Sequence, residues 1–106
     1  MPREYSVRKK PKMRPTHPGM FLRDDVLPAL KATVAGAARE LGVSRQLLHN
    51  ILAGRAPVSA DMAVRLGKWC GNGPRIWLAL QSDFDLWEAE RRLAGRLADI
   101  PTHEAA

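Results

Sequence analysis

Residues 34–53 read VAGAARELGVSRQLLHNILA: two short helical patterns, with one residue between the glycine that stops the first and the serine that starts the second. Thr33 caps the first pattern, whose inner face is Ala37, Ala38 and Leu41. Gly42 follows as a stop in the left-handed region. Ser44 then caps a helix from Arg45 to about Ala53, with Leu48, Ile51 and Leu52 on its apolar side. Ala38, Gly42 and Leu48 stand at positions 5, 9 and 15 of the twenty-residue unit. A small side chain at the first lets two helices cross near a right angle, and glycine at the second permits the tight turn. Apolar groups at 41, 43, 48 and 51 lock the second helix on the first. Together these are the features of a helix-turn-helix, whose second helix enters the major groove of DNA.

In that geometry the outward side chains of the second helix are Ser44, Arg45, Gln46, His49 and Asn50. Arg45 suits guanine O6 and N7, and Gln46 or Asn50 suits adenine N6 and N7. Ser44 and the first amides of the helix can hold a phosphate, with Arg55 a second phosphate contact just past the helix end. The competing reading is a plain solvated polar face. The turn, the apolar pattern and the local charge favour DNA reading.

On the N-terminal side, His17-Pro18-Gly19 opens a first helix with Leu22, Val26 and Leu30 as its expected stripe, and Pro28 is expected to end or kink it near Leu27. On the C-terminal side, Ser59 caps a fourth helix bearing Met62, Leu66 and Trp69, with Asp61 in its first turn. A line of small residues beside that stripe, Ala63, Gly67 and Cys70, allows close approach of another helix. Pro74 opens a fifth helix after Gly71-Asn72-Gly73, with the stripe Trp77, Leu80, Phe84 and Trp87; weaker helical turns carry Leu93 and Leu97. No segment alternates with period two. The expected fold is all-α, with five helices.

The 106 residues carry a net charge of +6, unevenly placed. Residues 1–14 hold six basic groups and one acid, and residues 31–75 hold seven and two; residues 76–106 hold three basic groups and six acids. Such a division points to a polyanion contacted by the N-terminal segment and the middle of the chain. Residues 1–14, with three prolines by residue 15 and no periodicity, read as a basic flexible arm preceding a helix-turn-helix domain at 15–106, whose end is a C-terminal helical extension. The arm is either a solvated tail, a set of phosphate and minor-groove contacts, or a ligand for an acidic patch on a partner.

Other chemistries find little support. The longest apolar run, residues 76–80, is far short of the ~20 residues of a membrane span. His17, His49, His103 and Cys70 lack paired metal-ligand spacing, so no metal or cofactor is expected. Asp83, Asp85, Glu88 and Glu90 read as a solvated helix face and Cys70 as a buried small residue, so no catalytic residue is assigned and no enzyme activity is expected. The stripe Trp77, Leu80, Phe84 and Trp87 is core or dimer interface, and both can hold if Trp77 turns inward and Trp87 toward a partner.

The run from Arg14-Pro15-Thr16-His17-Pro18-Gly19 through Leu41-Gly42-Val43-Ser44-Arg45-Gln46 and Ile51-Leu52-Ala53-Gly54-Arg55 resembles HigA-type antitoxins. These belong to the lambda-repressor-like helix-turn-helix class, and some relatives are called virulence-associated protein I. Asp61-Met62-Ala63 with Arg65-Leu66, then Trp77-Leu78, Leu80-Gln81 and Asp85-Leu86-Trp87 extend the match over about residues 14–90. The resemblance implies a homodimer on a palindromic operator of its own operon, and a HigB-like toxin partner that cleaves mRNA. The single cysteine, Cys70, and the lack of an apolar stretch after the basic N-terminus fit a cytoplasmic protein, associated with the nucleoid when operator-bound, without a membrane partner. A repressor of the same fold without a toxin is the alternative. Val34 departs from the family, where many relatives carry a phosphate-contacting glutamine.

Overall fold

The computed structural model describes residues 13–104. His17 Nδ1 accepts the Gly19 amide at 2.9 Å and so caps α1, a helical run over residues 18–30. Hydroxyl caps of the ordinary kind open the next three helices. Thr33 accepts from Gly36 at 3.0 Å before α2 (Val34–Leu41), and Ser44 from Leu47 at 3.0 Å before α3 (Arg45–Leu52). Ser59 accepts from Met62 at 3.2 Å before α4 (Ala60–Cys70). Each bond satisfies an amide that has no partner within its helix. Pro74 then opens α5 (Pro74–Leu93), and a 3₁₀ turn follows at Leu97–Asp99. The five helices are those expected from the sequence, and no strand occurs among the described residues.

Helix α1 departs from its expected pattern. It does not end near Leu27 but continues through Pro28 to Leu30, where Lys31 stops it in the left-handed region at φ 53°. The accommodation lies upstream: Leu22–Val26 forms π turns, and the Leu27 amide donates to the Leu22 carbonyl five residues back. A proline lacks the N–H that an α-helix would use and crowds the preceding turn. The wider π turn absorbs that conflict within the helix. It also moves the inward face by one residue, so Leu22 and Leu27 are buried, Val26 is half-buried and Leu30 is 53% exposed.

The core gathers at the crossing of α1, α3, α4 and α5, where Leu22, Leu48, Ile51, Leu66 and Trp77 are fully buried. Two glycines set the closest approaches. A Cβ at Gly19 would lie 1.7 Å from the Ile51 carbonyl oxygen, so α1 reaches α3 at a residue without a side chain. A Cβ at Gly67 would lie 2.3 Å from the Gly73 carbonyl carbon, the close approach expected from the small residues of α4. Alongside it, Ala63 is buried and Cys70 half-buried. One buried polar group ties the loop after α3 to α5: Gln81 Oε1 accepts the Val58 amide at 2.8 Å. The Trp77 indole N–H donates to Asn72 Oδ1 at 3.1 Å, so the side chain's only polar atom is satisfied at the part-buried edge of the core.

Of the basic N-terminal segment, residues 1–12 lie outside the described residues. Arg14, at its end, packs on α5: its guanidinium pairs with Glu88 at 2.8 Å and lies over the Phe84 ring, 4.8 Å from the centroid.

Candidate nucleic-acid interface

The turn that presents α3 is closed from both sides. On its own chain, the Val43 amide donates to the Ala38 carbonyl at 3.0 Å and the Gly42 amide to Arg39 at 3.2 Å, with Gly42 at φ 74°. This is the paired arrangement that ends a helix in a left-handed glycine. From α4, Arg65 Nη1 donates to the Leu41 carbonyl at 2.9 Å and to the Gly42 carbonyl at 3.3 Å, while its Nε holds Asp61 at 3.0 Å. The sequence marks the Asp61–Arg65 pair by its helical spacing, but nothing in it marks the carbonyls that Arg65 reaches. The family-like run Arg65-Leu66 marks the residue but not the contact it makes.

With Leu48 and Ile51 turned fully inward, the opposite side of α3 is left to solvent. Ser44, Arg45, Gln46 and His49 are exposed there, Asn50 is half-buried, and Arg55 is exposed just beyond the helix. The Ser44 oxygen is engaged as the cap, which leaves its hydroxyl proton for an outside acceptor. No hydrogen bond or ion pair among the described residues occupies the Arg45 guanidinium or the His49 ring. Asn50 joins the rest: its Oδ1 accepts from Gln46 Nε2 at 3.3 Å and from Arg55 Nη2 at 3.3 Å. The Asn50 backbone carbonyl accepts the Arg55 and Ala56 amides at 2.8 and 3.1 Å, which brings the chain back along the helix. Nearby carboxylates are engaged elsewhere. Glu40 accepts the Trp69 indole N–H at 2.9 Å, and Asp61 is held by Arg65. The outward set thus offers donors and cations with no free acid among them, a surface suited to base edges and phosphates.

The aromatic stripe of α5 divides by depth. Trp77 is fully buried in the protomer's own core, with the Phe21 ring 5.7 Å away, so it has no surface to give to a second copy. This is the inward position that the core reading of the stripe gives it, with α1 and α4 covering the inner end of the helix. Leu80, Phe84 and Trp87 are half-buried. Phe84 is partly covered from within, by the His17 ring at 4.9 Å edge-on and by Arg14. Trp87 carries the Arg91 guanidinium over its ring at 4.6 Å.

Burial shifts two titratable groups, His17 and Cys70, while the exposed Arg23–Asp24 hydrogen bond pushes the guanidinium up and the carboxyl down. The His17 ring is pushed below its ordinary value chiefly by desolvation; the Asp85 charge opposes this and Arg14 adds to it. Burial pushes the Cys70 thiol up, which favours its protonated form. No three His, Cys, Asp or Glu side chains converge into a metal-binding group among the described residues, and no helix there is long and apolar enough to cross a membrane.

No protein-family model matches the chain. Individual proteins do. The chain is 32% identical over 84 residues to antitoxin HigA-1 of Vibrio cholerae, a match spanning 79% of each. Antitoxin HigA of Pseudomonas aeruginosa, solved with the higBA promoter, superposes with a TM-score of 0.80 at 33% identity, over 87% of this chain and 100% of that one. Antitoxin GraA in complex with its operator gives 0.81 at 38% identity, over 93% and 100%.

Proposed function

The chain belongs to the HigA-type antitoxin family of helix-turn-helix regulators, and on that premise we propose that it is the antitoxin of a toxin–antitoxin pair. In this reading it represses its own operon by binding operator DNA as a dimer, and it binds and neutralises a HigB-like mRNA endonuclease. The observation that carries the DNA half is the acid-free outward face of α3, with Arg45, Gln46 and His49 exposed on a helix whose entry turn is pinned by Arg65. Relatives solved on promoter and operator DNA support it.

A dimer sets two such helices about 34 Å apart, one turn of B-DNA. The half-buried Leu80, Phe84 and Trp87 of α5 supply its contact surface. Residues 15–106 act as the operator-binding unit, and the basic segment 1–14 adds charge to it. The acidic C-terminal third is the surface offered to a basic toxin. The site of action is the cytoplasm, on the nucleoid when the operator is occupied.

The test is a nuclease footprint on the promoter of its own operon, with and without the product of the neighbouring gene. Protection by the chain, with co-purification of the neighbouring product, is the expected result. Protection without co-purification identifies a stand-alone repressor. An unprotected promoter contradicts the DNA reading.

A further inference from the structure

We propose that Asn50 is a positioning residue for DNA reading: one side-chain oxygen sets the geometry of a base reader, Gln46, and of a phosphate contact, Arg55, and reads no base itself. This rests on the operator-binding reading above and assigns one residue a role within it.

The chemistry of Arg55 fixes the arrangement. A guanidinium has only N–H donors, so the Asn50 atom facing it at 3.3 Å is the carbonyl oxygen. With that oxygen in place, Gln46 must present its amide nitrogen, which it does at 3.3 Å from one helical turn earlier. Bidentate recognition of adenine by an amide side chain needs one N–H and one oxygen. Gln46 retains both, since its nitrogen carries two protons and only one is engaged. Asn50 does not: its oxygen already accepts from two neighbours, and the residue is half-buried. Arg55 keeps its remaining donors on an exposed side chain, held against the helix by the backbone bond from its own amide to the Asn50 carbonyl at 2.8 Å. The same residue therefore places the chain reversal, the phosphate contact and the reader.

The experiment uses the full-length protein and the duplex it selects from a randomised pool, with single-base-pair variants of that duplex, across a salt series. Gln46→Ala defines the base pair that Gln46 reads, expected to be discriminated about tenfold or more by the parent protein. Asn50→Ala is expected to relax the same base pair and to lower the log–log salt slope by about one, as Arg55→Ala does. Asn50→Asp keeps the oxygen and removes the amide donors; it is expected to retain the base preference while weakening all duplexes alike. The proposal is overturned if Asn50→Ala relaxes a different base pair, if it leaves preference and slope unchanged, or if Asn50→Asp abolishes the preference. A parent protein that selects no duplex overturns the operator-binding reading itself, and the role of Asn50 with it.

Discussion

Arg65 and Leu41 are joined at 2.9 Å, guanidinium to backbone carbonyl, so a side chain of α4 closes the turn between α2 and α3. The end of a helix leaves carbonyls without partners, and here a cation complements both the free oxygens and the helix dipole. Arg65→Ala is expected to lower stability by about 1 kcal/mol, since the group is partly solvated. A thermal melt should shift down by roughly 4–8 °C for a domain near this size. Operator affinity should fall as well, because the angle at which α3 leaves the turn is no longer fixed. An unchanged melt would remove Arg65 from the account of the turn.

The contact of Gly19 with Ile51 allows no side chain. Gly19→Ala would place a methyl group 1.7 Å from a backbone oxygen, and backbone cannot rotate away. The expected loss is about 3 kcal/mol, at the upper end for overpacking. Urea unfolding measures it; a midpoint equal to that of the parent would show that α1 shifts freely over α3.

Acidification should act through His17. Its Nδ1 accepts the Gly19 amide, so the cap requires the neutral ring, and burial holds the folded value below 6.5. Above pH about 6.5 the ring is neutral in both states and the cap contributes fully. Below that, the unfolded chain binds a proton that the folded chain refuses, so stability falls with pH until the lowered folded value is passed. His17→Asn keeps a capping oxygen without this titration. The urea midpoint of the parent should drop between pH 7.5 and 5.5 by more than that of the variant, and equal drops would contradict the assignment.

Trp77 and Trp87 sit ten residues apart on α5 and should answer differently. Trp77→Ala removes a fully buried side chain and is expected to cost about 3–5 kcal/mol. Trp87→Ala is expected to leave the fold intact and to move the sedimentation of the protein from dimer toward monomer. A Trp87→Ala variant that stays fully dimeric would relocate the interface away from this stretch of α5.

What the sequence made legible was local. Thr33, Ser44 and Ser59 cap because a hydroxyl reaches amides three residues on, and Gly42 stops a helix through its own φ. These depend on neighbours in the chain, so residue type and spacing suffice. The π turns of α1 were not legible, because their one-residue shift of the apolar face leaves a pattern that reads almost as well in the α period. Gln81 looks like surface in the sequence, since its partner is the backbone amide of Val58, 23 residues away. Arg65 was hidden in the same way. The outward side chains of α3 could be named from the unit alone, and the Gln46–Asn50 bond follows from helical spacing, but the Arg55–Asn50 bond depends on how the chain turns after Ala53.

The central claim is that the exposed face of α3 reads operator DNA, and footprinting of Arg45→Ala and Gln46→Ala beside the parent protein tests it most directly. The account predicts that the parent protects a discrete site in its own promoter. Each variant should lose preference at one base pair per half-site, by about 1–3 kcal/mol, and keep its non-specific affinity. Variants that protect the same site with the same base preferences as the parent would contradict it.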